Sequence, residues 1–305
     1  MLKSIGWRAL LSAVTLLIAV SFAFFIARGS GDPAAELLGA SATPARIAAL
    51  RVELGLSEPL FNQYINYLGG IFTGNLGESL RYSEPNLQLI LQRLPATLQL
   101  TFVAIGIAVV VGVPLGCLAA IKEGRIIDRV ASTFALLGQS VPVFWLGLML
   151  ILVFAINLGI FPAGLRSGPL SVVLPAVALS TLPMAQIARL TRSAMAEVLS
   201  DQFIIAARSR GLSALSIYVR HALRNSLVPV VTVFGLQLGA LLSGAVTVEY
   251  VFAWPGLGTL ATQAIQSRDF TLVQAVVVVG VVIFVVINLL IDILYAVIDP
   301  RIRRA

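Results

Sequence analysis

Few residue types in this 305-residue chain could carry catalytic or metal-binding chemistry. The single histidine, His221, lies far in sequence from any plausible nucleophile or set of metal ligands, and the single cysteine, Cys117, lies in an apolar run. One residue of each kind cannot assemble the common zinc sites or form an internal disulfide. The sequence also lacks the glycine-rich loop, ending in Gly-Lys-Ser/Thr, that holds nucleotide phosphates. We therefore predict no catalytic residues, no metal site and no cofactor bound by this chain.

A second group of candidate residues consists of polar side chains within long apolar runs. Such groups tend to face the protein interior or a water-filled path, and neighbouring Gly and Pro let helices approach or bend. To a substrate path we assign Gln139, Pro142, Gln186, Gln237, Gly239 and Ser243. Asp292 and Asn288 are predicted to be structural polar groups, with a proton relay as the alternative for Asp292. Glu249, at the end of its run, is predicted to face water.

These residues must be held by membrane-spanning helices. The chain is 58% hydrophobic and only 11% charged, with a mean hydropathy of +0.97, whereas soluble domains carry roughly 25% charged residues. A spanning helix needs roughly 20 mostly apolar residues. Six stretches qualify, at 9–27, 96–121, 131–160, 171–187, 227–251 and 272–298. We predict an all-α, polytopic membrane protein with six transmembrane helices.

The distribution of basic residues predicts the orientation. With the N-terminus inside, 14 of the 21 Lys and Arg fall in the predicted cytoplasmic segments, which agrees with the positive-inside rule. The seven basic residues outside are balanced by seven acidic ones. The net charge of +7 therefore reports topology and lipid contact, and we predict no nucleic-acid partner. The charge distribution thus predicts a multi-pass membrane protein with both termini cytoplasmic.

The spans divide the chain into three predicted parts. Residues 1–27 form a signal-anchor helix, residues 28–95 an extracytoplasmic cap, and residues 96–305 a membrane core with five transmembrane helices. The cap contains short helical pieces, PARIAALRVELG and EPLFNQYINYLGGIF. It is too long to be a simple connection and is predicted to fold on the outer face.

The polar loop 189–226 separates two of the predicted spans. AARSRG predicts a helix that stops at a glycine, with a second short helix from about Ser213. Apolar residues recur along the first helix at spacings of three and four, at Met195, Val198, Leu199, Phe203, Ala206 and Ala207. Because a membrane protein displays this helix pair in water, we predict that a partner docks on it.

The loop resembles the cytoplasmic coupling loop of ABC importer permeases, in which Glu-Ala-Ala-x-x-x-Gly joins two short helices. Ala206, Ala207 and Gly211 match, whereas Ile205 stands where that motif has Glu. The variant is similar to that of the peptide and nickel permease subfamily, where A-A-R-x-K/R-G and R-H-A-L-R-N-x-L-x-P are typical. Further stretches resemble the same subfamily: GDPA (31–34), LGLSEPL (54–60), GNLGESL (74–80), RLPATLQL (93–100), SVPVFWLG (140–147), LPAVALS (174–180), EYVFAWPGLG (249–258) and DILYAVIDPRIR (292–303).

The resemblance implies a type I ABC importer permease in a bacterial cytoplasmic (inner) membrane. With a homologous second permease it would form the path for dipeptides or short oligopeptides delivered by an extracytoplasmic substrate-binding protein. Two cytoplasmic ATPase subunits would bind ATP and Mg. Coupling to them is assigned to Ala206, Ala207, Arg208, Arg210, Gly211, Leu212 and Ser213. A bulky residue at Ala207 is predicted to stop uptake while leaving insertion intact.

Other functions remain open at this point. The same architecture could import glutathione, a nickel chelate or another small solute. An ATPase-independent secondary transporter is the alternative from another class, and Asp292 and the helix glycines would suit it. Against it stand the absence of internal repeats, the scarcity of charge within the spans, and the long displayed loop.

Overall fold

Long apolar stretches build the structure, a computed structural model that describes residues 2–29, 31, 33–38, 42–53 and 55–298. Inside a membrane each backbone N–H and C=O must find its partner within the protein, and a helix provides these partners along its own length. The described residues are accordingly helical apart from their loops and an isolated β-bridge between Glu78 and Pro85. The predicted all-α fold class is confirmed.

The helices follow one another with short connections over most of the chain. In order they are α1 Leu2–Gly29, α2 Pro33–Leu38, α3 Pro44–Glu53, α4 Leu60–Thr73, α5 Asn86–Ile121, α6 Ile126–Ser140, α7 Val143–Leu150, α8 Val173–Ser200, α9 Gln202–Ser209, α10 Ala214–Ser216, α11 Arg224–Val251, α12 Leu257–Gln266 and α13 Phe270–Ile298. A π-helix, Ile151–Asn157, continues α7, and a 3-10 turn, Pro169–Val172, precedes α8. A second π-helix, Ile217–Leu223, joins α10 to α11. The short helices predicted between 28 and 95 are present as α3 and α4.

The lengths and compositions of the helices agree with a polytopic membrane protein. Among the described residues, four helical stretches could each cross a membrane: Leu10–Gly29, Asn86–Ile121, Pro169–Ser200 and Phe270–Ile291. Two bent pairs, Ile126–Ser140 with Val143–Asn157 and Pro229–Leu241 with Ala245–Val251, raise the number to six if each pair is one span. The six predicted stretches overlap these six one by one.

The predicted span 131–160 is broken in two. The helix α6 ends at Ser140, and Val141 takes an extended conformation, with φ −82° and ψ 124°. The cause is Pro142, because a proline ring disfavours helical backbone in the residue before it and supplies no N–H of its own. The two halves meet at a bend of 103°. A predicted path residue therefore marks a sharp change of direction.

One compact unit of the chain comprises Met1–Ala96 and Pro255–Val286. Its apolar core joins the start of α5 to α12 and α13 through Ile90, Leu260, Ala264 and Leu272, all at most 2% exposed. In the same unit, Phe24 of α1 lies against the rings of Tyr64 and Tyr67 of α4. Aromatic contacts thus fasten the first helix to the short helices of the predicted cap.

A buried carboxylate fixes the loop 76–85 in this unit. Asp269 is 1% exposed, and its Oδ2 accepts hydrogen bonds from Ser79 Oγ at 2.6 Å and from the backbone N–H of Arg81 at 3.3 Å. Its Oδ1 accepts from Thr271 Oγ1 at 2.9 Å and from the Leu272 N–H at 3.1 Å, which caps α13. One side chain therefore starts a helix and holds a distant loop against it.

The other compact unit comprises Thr97–Trp254 and Ile287–Ala305. Here α8 packs against α6, α7 and α11, and two glycines bring α5 against it. A Cβ atom at Gly112 would lie 2.8 Å from the carbonyl oxygen of Met184, and one at Gly116 would lie 2.6 Å from Cβ of Thr191. Both separations are shorter than real Cβ contacts, so α5 and α8 can approach this closely only with glycine at these positions.

The position of Glu249 corrects the prediction that it faces water. Its side chain is fully buried at the end of α11 and accepts a hydrogen bond of 2.6 Å from Thr97 Oγ1. Burying a carboxylate is costly unless hydrogen bonds replace its hydration. A place at the end of an apolar run therefore does not imply exposure, because the partner lies on another helix of the same unit.

Candidate coupling surface and substrate path

The predicted coupling residues form a helix and a turn between α8 and α11. Past the predicted end of the fourth span at 187, α8 continues to Ser200, and Asp201 then changes direction with φ −66° and ψ 148°. The carbonyl of Asp201 accepts hydrogen bonds from the N–H groups of Ile204 and Ile205, which start α9. The loop is therefore a short helix that leaves a long one at a defined joint.

The turn after α9 depends on Gly211. Its φ is +77°, in the left-handed region that glycine adopts without steric cost. The N–H groups of Arg210, Gly211 and Leu212 return to the carbonyls of Ala206, Arg208 and Ala207, as expected for a helix that ends in this way. Ser213 Oγ then accepts from the N–H of Ser216 and caps the next helix. The predicted break at Gly211 and the restart at Ser213 are both present, and the second helix runs on through the π-helix into α11. The predicted first helix, however, is divided at Asp201, so that its apolar stripe lies partly on α8 (Met195, Val198 and Leu199) and partly on α9 (Phe203, Ala206 and Ala207).

One side of α9 packs against the rest of its own unit. Ile204 is fully buried and Ala207 is 8% exposed, in a cluster with Met195 of α8 and Ala120 of α5. Ile217 and Ala222 of the π-helix complete this cluster. Ala207, which was predicted to lie against a partner, thus faces the interior of this chain. Close packing to three helices makes α9 a rigid attachment.

The opposite side of α9 and the turn after it are open. We define the α9 surface as Ile205, Ala206, Arg208, Arg210 and Leu212, all of them exposed. Ile205 is 55% exposed and Leu212 is 41% exposed. Exposed aliphatic side chains beside arginines, around one small residue, suit a partner surface that combines an apolar pocket with acidic groups.

The predicted path residues that the structure describes lie at several places in this unit. Gln186 of α8 and Gln237 of α11 are brought together, the amide of Gln237 donating to the carbonyl oxygen of Gln186. Gln139 of α6 instead lines a cavity of about 200 Å³, together with residues of α5 and α8. Pro142 lies at the bend after α6, and Gly239 is buried in α11. The five described residues therefore share one unit, and two of them are in contact.

The structure says less about the remaining predicted polar residues. The side chains of Ser243 and Asp292 lie outside the described residues, although both positions are in helices, and Asn288 is half-buried on α13. Within the described residues, no group of three or more His, Cys, Asp or Glu is placed to hold a metal ion.

An ion pair that the sequence reasoning missed lies beside the cavity. Arg192 of α8 donates from Nε to Asp128 Oδ1 at 2.5 Å and from Nη2 to Oδ2 at 2.8 Å. The Asp128 side chain is 7% exposed and that of Arg192 is 31% exposed. The two residues are 64 positions apart, and Arg192 had been counted only as part of the basic cytoplasmic charge. The one available signal was an acid in the first turn of a helix, where it faces the positive end of the helix dipole.

Comparison with known proteins decides the family. Residues 112–304 match the family described as binding-protein-dependent transport system inner membrane component, and residues 1–101 match the N-terminal component of such systems. The chain belongs to this family of ABC importer permeases.

Individual relatives cover nearly the full length of this permease. The dipeptide transport system permease protein DppB of Escherichia coli (strain K12) is 40% identical over 305 residues, with 90% of each chain covered. The di/tripeptide transport system permease protein DppB of Pseudomonas aeruginosa (strain UCBPP-PA14) is 39% identical over 302 residues, again with 90% of each chain covered. Among solved structures, the inward-facing MetNI methionine ABC transporter matches with a TM-score of 0.60 at 22% identity, over 70% of this permease and 97% of that chain.

Family membership fixes the general role of the permease. It is an integral inner-membrane protein and the non-catalytic transport component of an ABC importer, in which separate ATPase subunits hydrolyse ATP. Such permeases work with a partner permease, ATPase subunits and a binding protein. The alternative of an ATPase-independent secondary transporter is thereby set aside, and the predicted resemblance to the peptide permeases is confirmed.

Proposed function

We propose that this permease imports dipeptides or short oligopeptides. The observation that carries the proposal is the 40% identity, over 90% of both chains, to a permease named for dipeptide transport. The likeness to a second relative named for di- and tripeptides supports the same class of substrate. Solutes outside this class, including glutathione and nickel chelates, become competitors in the experiment below.

The proposed assembly places the chemistry on other chains. A homologous second permease completes the translocation path, two cytoplasmic ATPase subunits bind ATP and Mg, and an extracytoplasmic binding protein delivers the peptide to the outer face. The basic residues support this orientation, because with both termini cytoplasmic the inner segments carry 14 of the 21 Lys and Arg. In the same orientation α9 lies on the cytoplasmic side, where the ATPases are.

The α9 surface is proposed as the site where an ATPase docks. Ala206 lets the partner approach the helix closely, Ile205 and Leu212 offer apolar contact area, and Arg208 and Arg210 suit acidic groups of the ATPase. Ser213 and Gly211 set the direction of the turn. Ala207 contributes from the other side, since its burial against α5 and α8 fastens α9 to the helices that it must move.

The movement of α9 is proposed to change access to the path. When the ATPases close on ATP, α9 moves with them and shifts the balance between inward-open and outward-open states. The backbone leaves the helical conformation at Asp201, between α8 and α9, and before Pro142, at the end of α6. These are two positions at which the helices could change direction. Gln139, Gln186 and Gln237 supply amide groups that could bind peptide N–H and C=O groups as they pass.

Gly211 provides a test of the docking geometry. Replacement by valine is expected to weaken ATPase co-purification about tenfold, because an L-residue in left-handed backbone costs roughly 1–2 kcal/mol and a β-branched one costs more. Asparagine tolerates this conformation best among the larger residues, so Gly211→Asn is expected to retain most of the binding. No atom lies within 4 Å of a Cβ built at this position, so steric overlap cannot explain a difference. Equal binding by both variants would contradict the role of the turn.

The substrate proposal is tested by uptake into proteoliposomes that contain the complete transporter. We expect ATP-dependent accumulation of a labelled dipeptide, inhibited by unlabelled dipeptide but not by glutathione or a nickel chelate. The purified permease alone is expected to hydrolyse no ATP. Uptake of a nickel chelate without competition from dipeptide would refute the peptide assignment. ATP hydrolysis by the permease alone would refute the assignment of this activity to separate subunits.

A further inference from the structure

The ion pair between Asp128 and Arg192 joins the start of α6 to α8. A bidentate arginine–carboxylate pair fixes both distance and angle between the two side chains. Asp128 Oδ2 also accepts the N–H of Gly124 at 2.9 Å, so the carboxylate holds the turn before α6 as well. Ser132 Oγ donates to Oδ1 at 3.4 Å, one turn further along α6. The start of α6 is therefore organised around a group that Arg192 holds.

Arg192 lies on the part of α8 that leads to α9. Ser200 lies eight positions further along the same helix, which corresponds to about 12 Å of continuous helix. Met195 lies within this stretch, and it belongs to the buried cluster that fastens α9 to α8. A displacement of α9 must therefore reach Arg192 through tightly packed groups.

Elsewhere α6 meets α8 in a different way. Near its end, Gly138 lies close to α8, so that a Cβ there would be 3.4 Å from the carbonyl oxygen of Thr181 and 3.5 Å from Cβ of Ala185. Between that contact and the ion pair lies the cavity of about 200 Å³, lined by Ser132, Ala135 and Gln139 on the side of α6. The part of α6 from Ala131 to Gln139 thus borders this cavity, and the ion pair lies at one end of it.

We propose that the Asp128–Arg192 pair transmits the movement of α9 to α6 and so keeps peptide transport linked to ATP hydrolysis. The two residues are positioning residues. They set where α6, including Gln139 at the cavity, stands when α8 moves. The inference rests on the proposed docking of an ATPase on the α9 surface.

The proposal predicts a loss of coupling without a loss of assembly. In proteoliposomes with the complete transporter, Asp128→Asn and Arg192→Met are each expected to lower dipeptide transported per ATP hydrolysed at least fivefold. Stimulation of ATP hydrolysis by the binding protein, purified with its native cargo, should fall by a similar factor, while ATPase co-purification stays at the wild-type level. The double variant should be no worse than either single variant, because both remove the same interaction.

Two further variants separate the pair from general effects of charge. Arg192→Lys keeps the positive charge but not the bidentate fork. We therefore expect it to transport an amount of dipeptide per ATP hydrolysed that lies between those of the wild type and Arg192→Met. Glu123→Gln is the matched control, since this carboxylate is 65% exposed and lies 3.9 Å from Arg192. In Glu123→Gln, the dipeptide transported per ATP hydrolysed should stay within twofold of the wild-type value.

Three results would overturn the proposal. The first is an unchanged amount of dipeptide transported per ATP hydrolysed in Asp128→Asn and Arg192→Met. The second is a double variant in which the losses of the two single variants multiply. The third is a fall in the amount of assembled complex that is large enough to explain the lower transport. A failure of the proposed function would look different. It would show as absent dipeptide uptake by the unaltered transporter, whereas stimulation by the binding protein tests the ion pair whatever the cargo is.

Discussion

Replacement of Ala206 by phenylalanine is expected to abolish uptake by releasing the ATPase from the permease. Ala206 is exposed on α9, between Ile205 and Arg208 on the α9 surface, where its small side chain leaves the helix accessible. A bulky ring forced into a close contact costs roughly 1–3 kcal/mol, and each 1.4 kcal/mol weakens binding tenfold. We expect at least tenfold less ATPase to co-purify, with an unchanged amount of permease in the membrane.

The neighbouring position supplies a contrast for this experiment. Ala207 is buried against α5 and α8, so Ala207→Phe is expected to reduce the amount of folded permease itself. Insertion was predicted from the sequence to survive such a change, and the buried position of Ala207 replaces that expectation. Ala206→Ser is the control, because serine keeps the side chain small. If Ala206→Phe retained the ATPase while Ala207→Phe released it from well-folded permease, the docking side of α9 would be the other one.

Loss of the Asp269 carboxylate is expected to have the second large effect. Alanine at this position removes the acceptor of Ser79 Oγ and of the Leu272 N–H, in a place that is 1% exposed. The Arg81 N–H and Thr271 Oγ1 keep only their second acceptors, Ser79 Oγ and the carbonyl of Glu78. A buried donor without a partner costs roughly 1–3 kcal/mol, so we expect a local destabilisation of about 3 kcal/mol or more. Hydrogen exchange by residues 76–85 should rise accordingly, and delivery by the binding protein should weaken because these residues belong to the predicted cap.

Asparagine is the matched variant for Asp269. It caps a helix as well as aspartate does and can still accept the N–H of Leu272. Its NH2 group, however, would face the N–H of Arg81, where the native Oδ2 accepts. We expect Asp269→Asn to keep about half of the protection from hydrogen exchange that residues 76–85 lose in Asp269→Ala. Full protection in Asp269→Ala would show that the loop is held by its other contacts.

The sequence was most informative where a single local cause determines the backbone. Long apolar runs located the helices, since little else satisfies backbone groups in a membrane. Gly211 marked its break correctly, because it permits the left-handed backbone found there, whereas Pro142 was placed inside one predicted span that the structure breaks. The same reasoning could not say that α8 would continue past residue 187, since polar residues are as compatible with a helix leaving the membrane as with a loop.

Contacts between distant residues were beyond what the sequence could predict. The apolar stripe from Met195 to Ala207, which α8 and α9 share, indicated a covered face. Periodicity does not distinguish a partner from the chain's own helices, so the two adjacent alanines were assigned alike. Arg192 fitted the positive-inside pattern, which concealed its partner Asp128. Glu249 was judged from its place at the end of a run, whereas its burial depends on Thr97, 152 positions away.

The close approach of α5 to α8 at Gly112 and Gly116 has a mechanical consequence. Helices separated by side chains can slide, because rotamers rearrange and refill the gap, but two backbones in direct contact leave no layer that could yield. These two helices must therefore travel together during a transport cycle, as one stiff wall of the permease. Bending is left to irregular backbone such as that at Asp201 and before Pro142. Stiffness, as much as any binding group, therefore determines which part of this protein can open.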